Sequence, residues 1–247
     1  MSDLPPQASP SHPPLWSELA GRAGVTLTTV QHDLLGRYLD LLLDANRTMN
    51  LTRIVDRPSA EVQHVGDALT LLPFLPAAPH RLADVGSGGG VPGIPLAIAR
   101  PDAQVLLIES TKKKAAFLRA AAEQLGLQNV RVTERRAEDV GRVGSPERDA
   151  FDVVIARAVG TLDWLAEWCL PLARKGGKVL AMKGQKVMEE LPAAAKAIRA
   201  LNGGEPVIHK VDLPGAEHHV IVEIPKAGKT DPRYPRPATQ AKGKPIR

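Results

Sequence analysis

Cysteine is almost missing from this chain of 247 residues; Cys169 stands alone. One thiol excludes an internal disulfide and a cysteine-rich metal site, and it fits a reducing compartment. No apolar run approaches a membrane span, and no Lys or Arg precedes Arg22. Neither a membrane helix nor a secretory leader is therefore expected, and the cytoplasm is the expected location. The seven histidines show no metal-ligand spacing, so no metal is expected. Internal repeats are absent as well. What remains is one large domain with appendages, and its 43% hydrophobic content is enough for a real core.

Positive charge is unevenly spread. The chain carries a net +5, yet residues 226–247 alone hold seven basic side chains against Asp231. The remainder is near neutral. Prolines at 232, 235, 237 and 245 predict an extended tail without helix or sheet, the usual form of an electrostatic nucleic-acid arm. Residues 1–14 hold five prolines and read as disordered.

The rest is organised around Arg81–Leu96, RLADVGSGGGVPGIPL. A short apolar strand ends on Asp84, glycines follow, and a helical pattern opens with Pro92 and Pro95 in its first turn. This is the layout of a nucleotide-binding first βα unit. Two registers fit. Gly88-x-Gly90-x-x-Gly93 matches the dinucleotide pattern, whereas Asp84-x-Gly86-x-Gly88-x-Gly90 matches the first motif of class I S-adenosylmethionine (SAM) methyltransferases. The second is the better match, because a carboxylate at the strand's end suits a sulfonium and an ammonium and is awkward beside a pyrophosphate. Glu109 ends the next apolar strand, where an acid can hold both ribose hydroxyls.

Strands are predicted at Arg81–Val85, Gln104–Glu109, Val130–Thr133, Phe151–Ala156 and Lys178–Met182. Helices are predicted at Ile94–Arg100, Thr111–Leu125, Thr161–Ala173 and Val187–Leu201. Val207–Leu213 and His218–Ile224 read as a closing antiparallel pair. Upstream, helices are predicted at Leu15–Gly24, from about Thr28 to Arg47, and from Ser59, as N-cap, to about Leu72. The fold class is α/β: a seven-stranded, mostly parallel Rossmann-like sheet (79–225) with an α-helical N-terminal extension (15–78).

In such a sheet, ligands sit at the carboxyl ends of the strands. That rule selects Asp84 and Gly86, Glu109, the segment Glu134–Asp139, Arg157, and Lys183 with Gly184 and Gln185. Ala137 and Glu138 sit where adenine would be contacted: a small residue admits the ring and an acid accepts from its amine. Arg157 and Lys183, on adjacent strand ends, are the candidate catalytic residues, able to hold phosphate or a target base. Lys112, Lys113 and Lys114 fill the first turn of a helix whose dipole they oppose, a cost that a docked polyanion offsets. After the fourth strand the chain reads Ala156-Arg157-Ala158. That is not the Asn/Asp-Pro-Pro-aromatic motif of many exocyclic-amine methyltransferases, and no cysteine stands there for covalent pyrimidine chemistry. His64 and Asp67 read as a local polar pair. Guanine N7 suits a site without an evident general base, because it loses no proton on methylation.

These residues also carry a likeness. NLT (50–52), QHVGDAL (63–69), DVGSGGGVPGIPL (84–96), RPDAQVLLIES (100–110), KKAAFLR (113–119), RAED (136–139), FDVVIARAV (151–159) and MKGQ (182–185) occur in order. Together they resemble the bacterial small-subunit rRNA guanine-N7 methyltransferase family, RsmG (GidB). The resemblance implies methyl transfer from SAM to N7 of one guanine in 16S rRNA near the decoding region. It implies SAM contacts at Gly86, Val91, Ala137, Glu138 and Arg157, beside the residue-based candidates Asp84, Gly88 and Glu109. Glu109 stands where the family often has Asp. The implied partner is 16S rRNA or the small ribosomal subunit, with the protein a monomer. The competing classes are an NAD-binding oxidoreductase built on the same glycine turn, and a non-catalytic RNA-binding module.

Overall fold

The computed structural model describes residues 14–184, 186–241, 244 and 246. The proline-rich residues 1–13 and Gln185 lie outside the described residues, as do 242, 243, 245 and 247 of the tail. Seven strands form one sheet: β1 (Arg81–Val85), β2 (Gln104–Ile108), β3 (Val130–Thr133), β4 (Phe151–Arg157), β5 (Ala173–Gly184), β6 (Val207–Lys210) and β7 (His219–Pro225). Their order is β3-β2-β1-β4-β5-β7-β6. Strands β1 to β5 are parallel, and β7 enters antiparallel between β5 and β6.

Alternation along each strand splits the core in two. Leu82 of β1, Ile155 of β4 and Leu180 of β5 face one layer; Ala83, Val85 and Val154 face the other. The first layer holds α1 (Pro14–Arg22), α2 (Thr29–Met49), α5 (Gly93–Ala99) and α6 (Lys112–Gln124). The second holds α7 (Ala137–Val140), α8 (Leu162–Cys169) and α9 (Val187–Ala200). The helical extension is therefore part of one of the two layers over the sheet, which it shares with α5 and α6. Thr28 starts α2 with a reciprocal cap, accepting from Gln31 N at 3.2 Å while the Gln31 side chain accepts from Thr28 N at 2.9 Å.

The expected single helix from Ser59 is corrected. Its cap is Asp56, whose carboxylate accepts from Ser59 N at 2.9 Å, and Pro58 sits in the first turn, where no N–H is needed. After α3 (Arg57–Ala60) the chain widens into a π segment (Glu61–Gly66), resumes as α4 (Asp67–Leu69), and then forms a short 3-10 turn, Leu72–Phe74.

The tail is corrected too. Over its described residues up to Ala241 it is docked on the domain and is not an extended free arm. Lys226 is buried and donates to Leu201 O at 2.7 Å and to Thr230. Burial pushes its ammonium down to about 8. Arg148 gathers the carbonyls of Thr230 and Tyr234 at 2.8 and 2.7 Å. Arg236 forks onto the buried carboxylate of Glu167, at 2.8 Å from Nε and 2.5 Å from Nη2. A short helix, α10 (Ala238–Ala241), then follows. The prolines do prevent long helices, but the tail's polar groups find partners on α8 and on the loop after α7, and that docks it.

Candidate active site

Strand order reverses between β1 and β4, so their carboxyl ends open a crevice. The glycine loop fills one lip. Gly86 and Gly88 take φ of +71° and +56°, left-handed values that residues with a Cβ avoid. A Cβ on Gly86 would lie 2.9 Å from Val159 Cγ2. The loop's outer side is backed by α2: the buried Tyr38 hydroxyl donates to Gly89 O at 2.9 Å. Glu109 ties the loop to α6, accepting from Gly88 N at 3.0 Å and from Thr111 N at 2.7 Å.

Asp84 does not face a ligand as expected. It is 1% exposed and turns beneath the loop to accept from Gly93 N at 3.1 Å. Its other oxygen, Oδ1, has no hydrogen-bond partner among the described residues. Burial pushes its carboxyl up to about 7. Hydrophobic neighbours close over it because the helix begun at Gly93 packs directly on β1. A carboxylate at that depth fixes the loop and offers no charge to the crevice.

Three chambers line the crevice. The first, about 140 Å³, lies between Gly86, Ile108, Glu109, Ala137, Glu138 and Trp168. The second, about 200 Å³, is bounded by Gly86, Gly88, Val91, Thr52, His64 and Arg157. Gly86 borders both. The third, about 1220 Å³, shares Thr52, His64 and Arg157 with the second and opens past Arg53, Lys183, Lys186 and His219. Gly86, Gly88, Val91, Glu109, Ala137, Glu138, Arg157, Lys183 and Gly184 therefore line one continuous trough; Asp84, Glu134, Asp139 and Lys112 to Lys114 do not border it.

Arg157 closes the trough between the second and third chambers, and it is not a free cation. Its Nη1 donates to Gln63 O at 2.8 Å and to Asp67 Oδ2 at 3.0 Å. Its Nη2 lies 3.2 Å from His64 Nδ1. Asp67, 1% exposed at its side chain, accepts from His219 Nδ1 at 3.0 Å through its second oxygen. The π segment makes this possible: its wider turn presents the Gln63 carbonyl and the His64 ring on one side. His64 and Asp67 are thus not a pair with each other; both grip Arg157. Burial, and then Arg157, push His64 down to about 4. The hydrogen bond to Asp67 raises His219.

Lys183 borders the third chamber with its ammonium engaged, 2.8 Å from Glu190 Oε2 and 2.8 Å from Gly160 O. Glu190 also accepts from Leu162 N at 2.7 Å, so Lys183 is built into the start of α8. Lys112 and Lys113 are exposed in the first turn of α6. Cys169 is buried in the second core, where burial pushes its thiol up, so it supplies no nucleophile. Sequence reasoning missed Thr52, Asp67, His219 and Trp168 as crevice residues. NLT and QHVGDAL carried the signal for the first two. His219 and Trp168 reach the crevice only through tertiary packing.

The family model described as rRNA small subunit methyltransferase G matches residues 31–220. A Lactobacillus delbrueckii protein named ribosomal RNA small subunit methyltransferase G is 40% identical over 95% of this chain and all of its own length. A Sorangium cellulosum protein of the same name is 44% identical over 93% of this chain and 95% of its own. Among solved structures, a SAM-dependent O-methyltransferase from Thermotoga maritima superposes with a TM-score of 0.51 at 16% identity. It covers 77% of this chain and 72% of that one, a likeness of fold alone.

Proposed function

The chain belongs to the rRNA small subunit methyltransferase G family, and on that premise we propose that it transfers a methyl group from SAM to N7 of one guanine of 16S rRNA, near the decoding region. In this reading it works in the cytoplasm, on the rRNA or the small subunit, as a monomer. The observation that carries the reading is the trough itself. A bare glycine, Gly86, joins a chamber floored by a buried carboxylate to one that ends at a fixed guanidinium.

The residues fit SAM on their chemistry. Glu109 spends its bonds on Gly88 N and Thr111 N, which holds the carboxylate rigid, with lone pairs left for ribose hydroxyls. Ala137 and Glu138 form the adenine wall. Gly86, Gly88 and Val91 leave room for the methionyl part, and Arg157 is aimed where an anionic group or the target base would meet it. When bound, SAM supplies an electrophilic methyl carbon. The protein's task is alignment: Arg157 is immobilised by three partners before any ligand arrives, which removes part of the ordering cost of binding. No general base is needed at N7. Lys183, held by Glu190 and Gly160, forms the far rim and orients RNA through its position more than through a free charge.

N7 is hidden in the deep, narrow major groove of an A-form duplex. The third chamber suits a nucleotide splayed from its stack, at a cost of a few kcal/mol. Methyl incorporation from labelled SAM, with modified guanines mapped in rRNA from cells lacking the protein, tests the reading. Modification unchanged in those cells, or binding of NAD in preference to SAM, refutes it. Light scattering tests the monomer.

A further inference from the structure

Thr52 sits at the junction of the second and third chambers. Its loop is held from within: Asn46 Oδ1 accepts from Leu51 N at 2.7 Å and from Thr52 N at 2.9 Å. Two residues before it, Asn50 takes a left-handed φ of 52° as α2 ends. The Thr52 hydroxyl is therefore carried on a fixed backbone.

Its hydrogen-bond inventory can be counted. Thr52 Oγ1 lies 3.0 Å from His64 Nε2 and accepts from Ile54 N at 3.1 Å. The direction of the first bond follows from the other side of the ring. A guanidinium only donates, so His64 Nδ1, 3.2 Å from Arg157 Nη2, must accept. The ring proton then sits on Nε2 and is donated to Thr52. A hydroxyl has two lone pairs and one proton. Both lone pairs are committed, and among the described residues the proton has no acceptor. Toward anything in the trough, Thr52 is a donor only.

We infer that Thr52 is a specificity-determining residue that donates its hydroxyl proton to O6 of the target guanine and so selects guanine over an amino-bearing purine. This rests on the rRNA guanine-N7 reading above. On its major-groove edge guanine presents two acceptors, N7 and O6, whereas adenine presents N7 and an amino donor. N7 must keep its lone pair toward the methyl carbon, so O6 is the acceptor on that edge left to a protein donor. A fixed donor meets an amino group with no lone pair available, and the wrong base leaves that donor unpaired. The chain Asp67–Arg157–His64–Thr52 thereby links the cation of the trough to the base-reading hydroxyl.

The test uses the full-length protein and a 16S rRNA fragment that supports methylation. Its target position carries either guanosine or 2,6-diaminopurine riboside, which retains N7 and the 2-amino group and replaces O6 with an amine. The measured quantity is the ratio of kcat/KM for the two substrates in the wild type, Thr52→Val and Thr52→Ser. Because it is compared between proteins, differences in the intrinsic reactivity of the two bases cancel. The wild-type ratio should exceed the Thr52→Val ratio by about 10–100-fold, Thr52→Ser should keep the wild-type ratio, and SAM affinity should stay within a few-fold. If Thr52→Val does not fold, Thr52→Cys, whose thiol occupies the same place and donates weakly, takes its place with the same expectation. An equal ratio in wild type and variant overturns the role, as does a SAM affinity that falls in parallel with activity. Chain cleavage at 7-methylguanosine after borohydride and aniline checks the premise separately. No cleavage in wild-type product refutes the guanine-N7 reading, whereas cleavage with an unchanged ratio refutes only Thr52.

Discussion

Asp67→Asn tests whether the crevice cation is held from beneath. The wild-type carboxylate is 1% exposed at its side chain and binds Arg157 and His219, each at 3.0 Å. Asn keeps the shape and loses the charge, and its amide nitrogen turns a donor toward one of two donors. Breaking a buried pair from one side costs roughly 3–5 kcal/mol. Here the Arg157 and His219 side chains are 22% and 41% exposed, so water recovers part, and about 2–3 kcal/mol is expected. For a chain of this size that corresponds to a fall in Tm of about 5–10 °C. The pH dependence is diagnostic. His219 is raised in the folded protein, chiefly by its hydrogen bond to Asp67. That part of the stability is fully present below the ordinary histidine value and is lost as pH rises through the raised one. The gap between wild type and Asp67→Asn should therefore be widest below about pH 6.5 and narrow as the pH rises above that value. Urea unfolding across that range, with calorimetry of SAM binding, measures it. Equal unfolding midpoints at every pH, with methyl transfer intact, would mean that Arg157 is positioned by something other than Asp67.

Gly88→Val should abolish SAM binding in a folded protein, since Gly88 holds φ +56° and a branched side chain strains that conformation; unchanged calorimetric affinity refutes the site. His64, pushed down to about 4, should contribute up to about 3 kcal/mol of stability that is complete above pH 6.5 and lost as pH falls toward 4; a His64→Gln protein with the same acid profile contradicts this. Arg236→Ala leaves Glu167, 2% exposed at its side chain, without its main partner. It should destabilise by about 2–3 kcal/mol and weaken SAM binding through α8, which carries Trp168 to the first chamber; a thermal melt and titration matching wild type argue against the docked tail. Replacing Lys112, Lys113 and Lys114 together by Gln should reduce the slope of log K for RNA against log salt by about 2 if all three touch phosphates; an unchanged slope removes that helix turn from the interface.

Local chemistry was legible in the residues. The bounds of β1 and β3 match the predicted ones, and the glycine loop and Glu109 stand where the βα pattern required. What escaped was set by distant contacts. From the sequence Arg157 is only a strand-end cation, because its partners Gln63, His64 and Asp67 lie some ninety residues away and meet it through a π segment that has no simple periodicity. Asp84 was expected at the ligand because strand-end position says nothing about which side of a loop a side chain takes. The tail misled for a related reason. Its charge and prolines describe a solvated arm, yet Glu167 and Arg148, buried or nearly so elsewhere in the chain, needed partners that the tail supplies.

Tyr38 and Leu42 of α2 press against the glycine loop from outside the sheet. A methyl on Gly89 would lie 2.7 Å from Leu42 Cδ1, and the Tyr38 hydroxyl caps the Gly89 carbonyl. The loop is thus cast between two halves of a mould, and one half belongs to a segment that carries none of the nucleotide-binding motif. A graft that moved β1, the loop and α5 onto another scaffold would carry every signature glycine and leave the mould behind. For a designer, or for a gene that is shortened from its front, the smallest portable cofactor-binding unit begins at the capping box of Thr28, more than fifty residues ahead of the motif that advertises it.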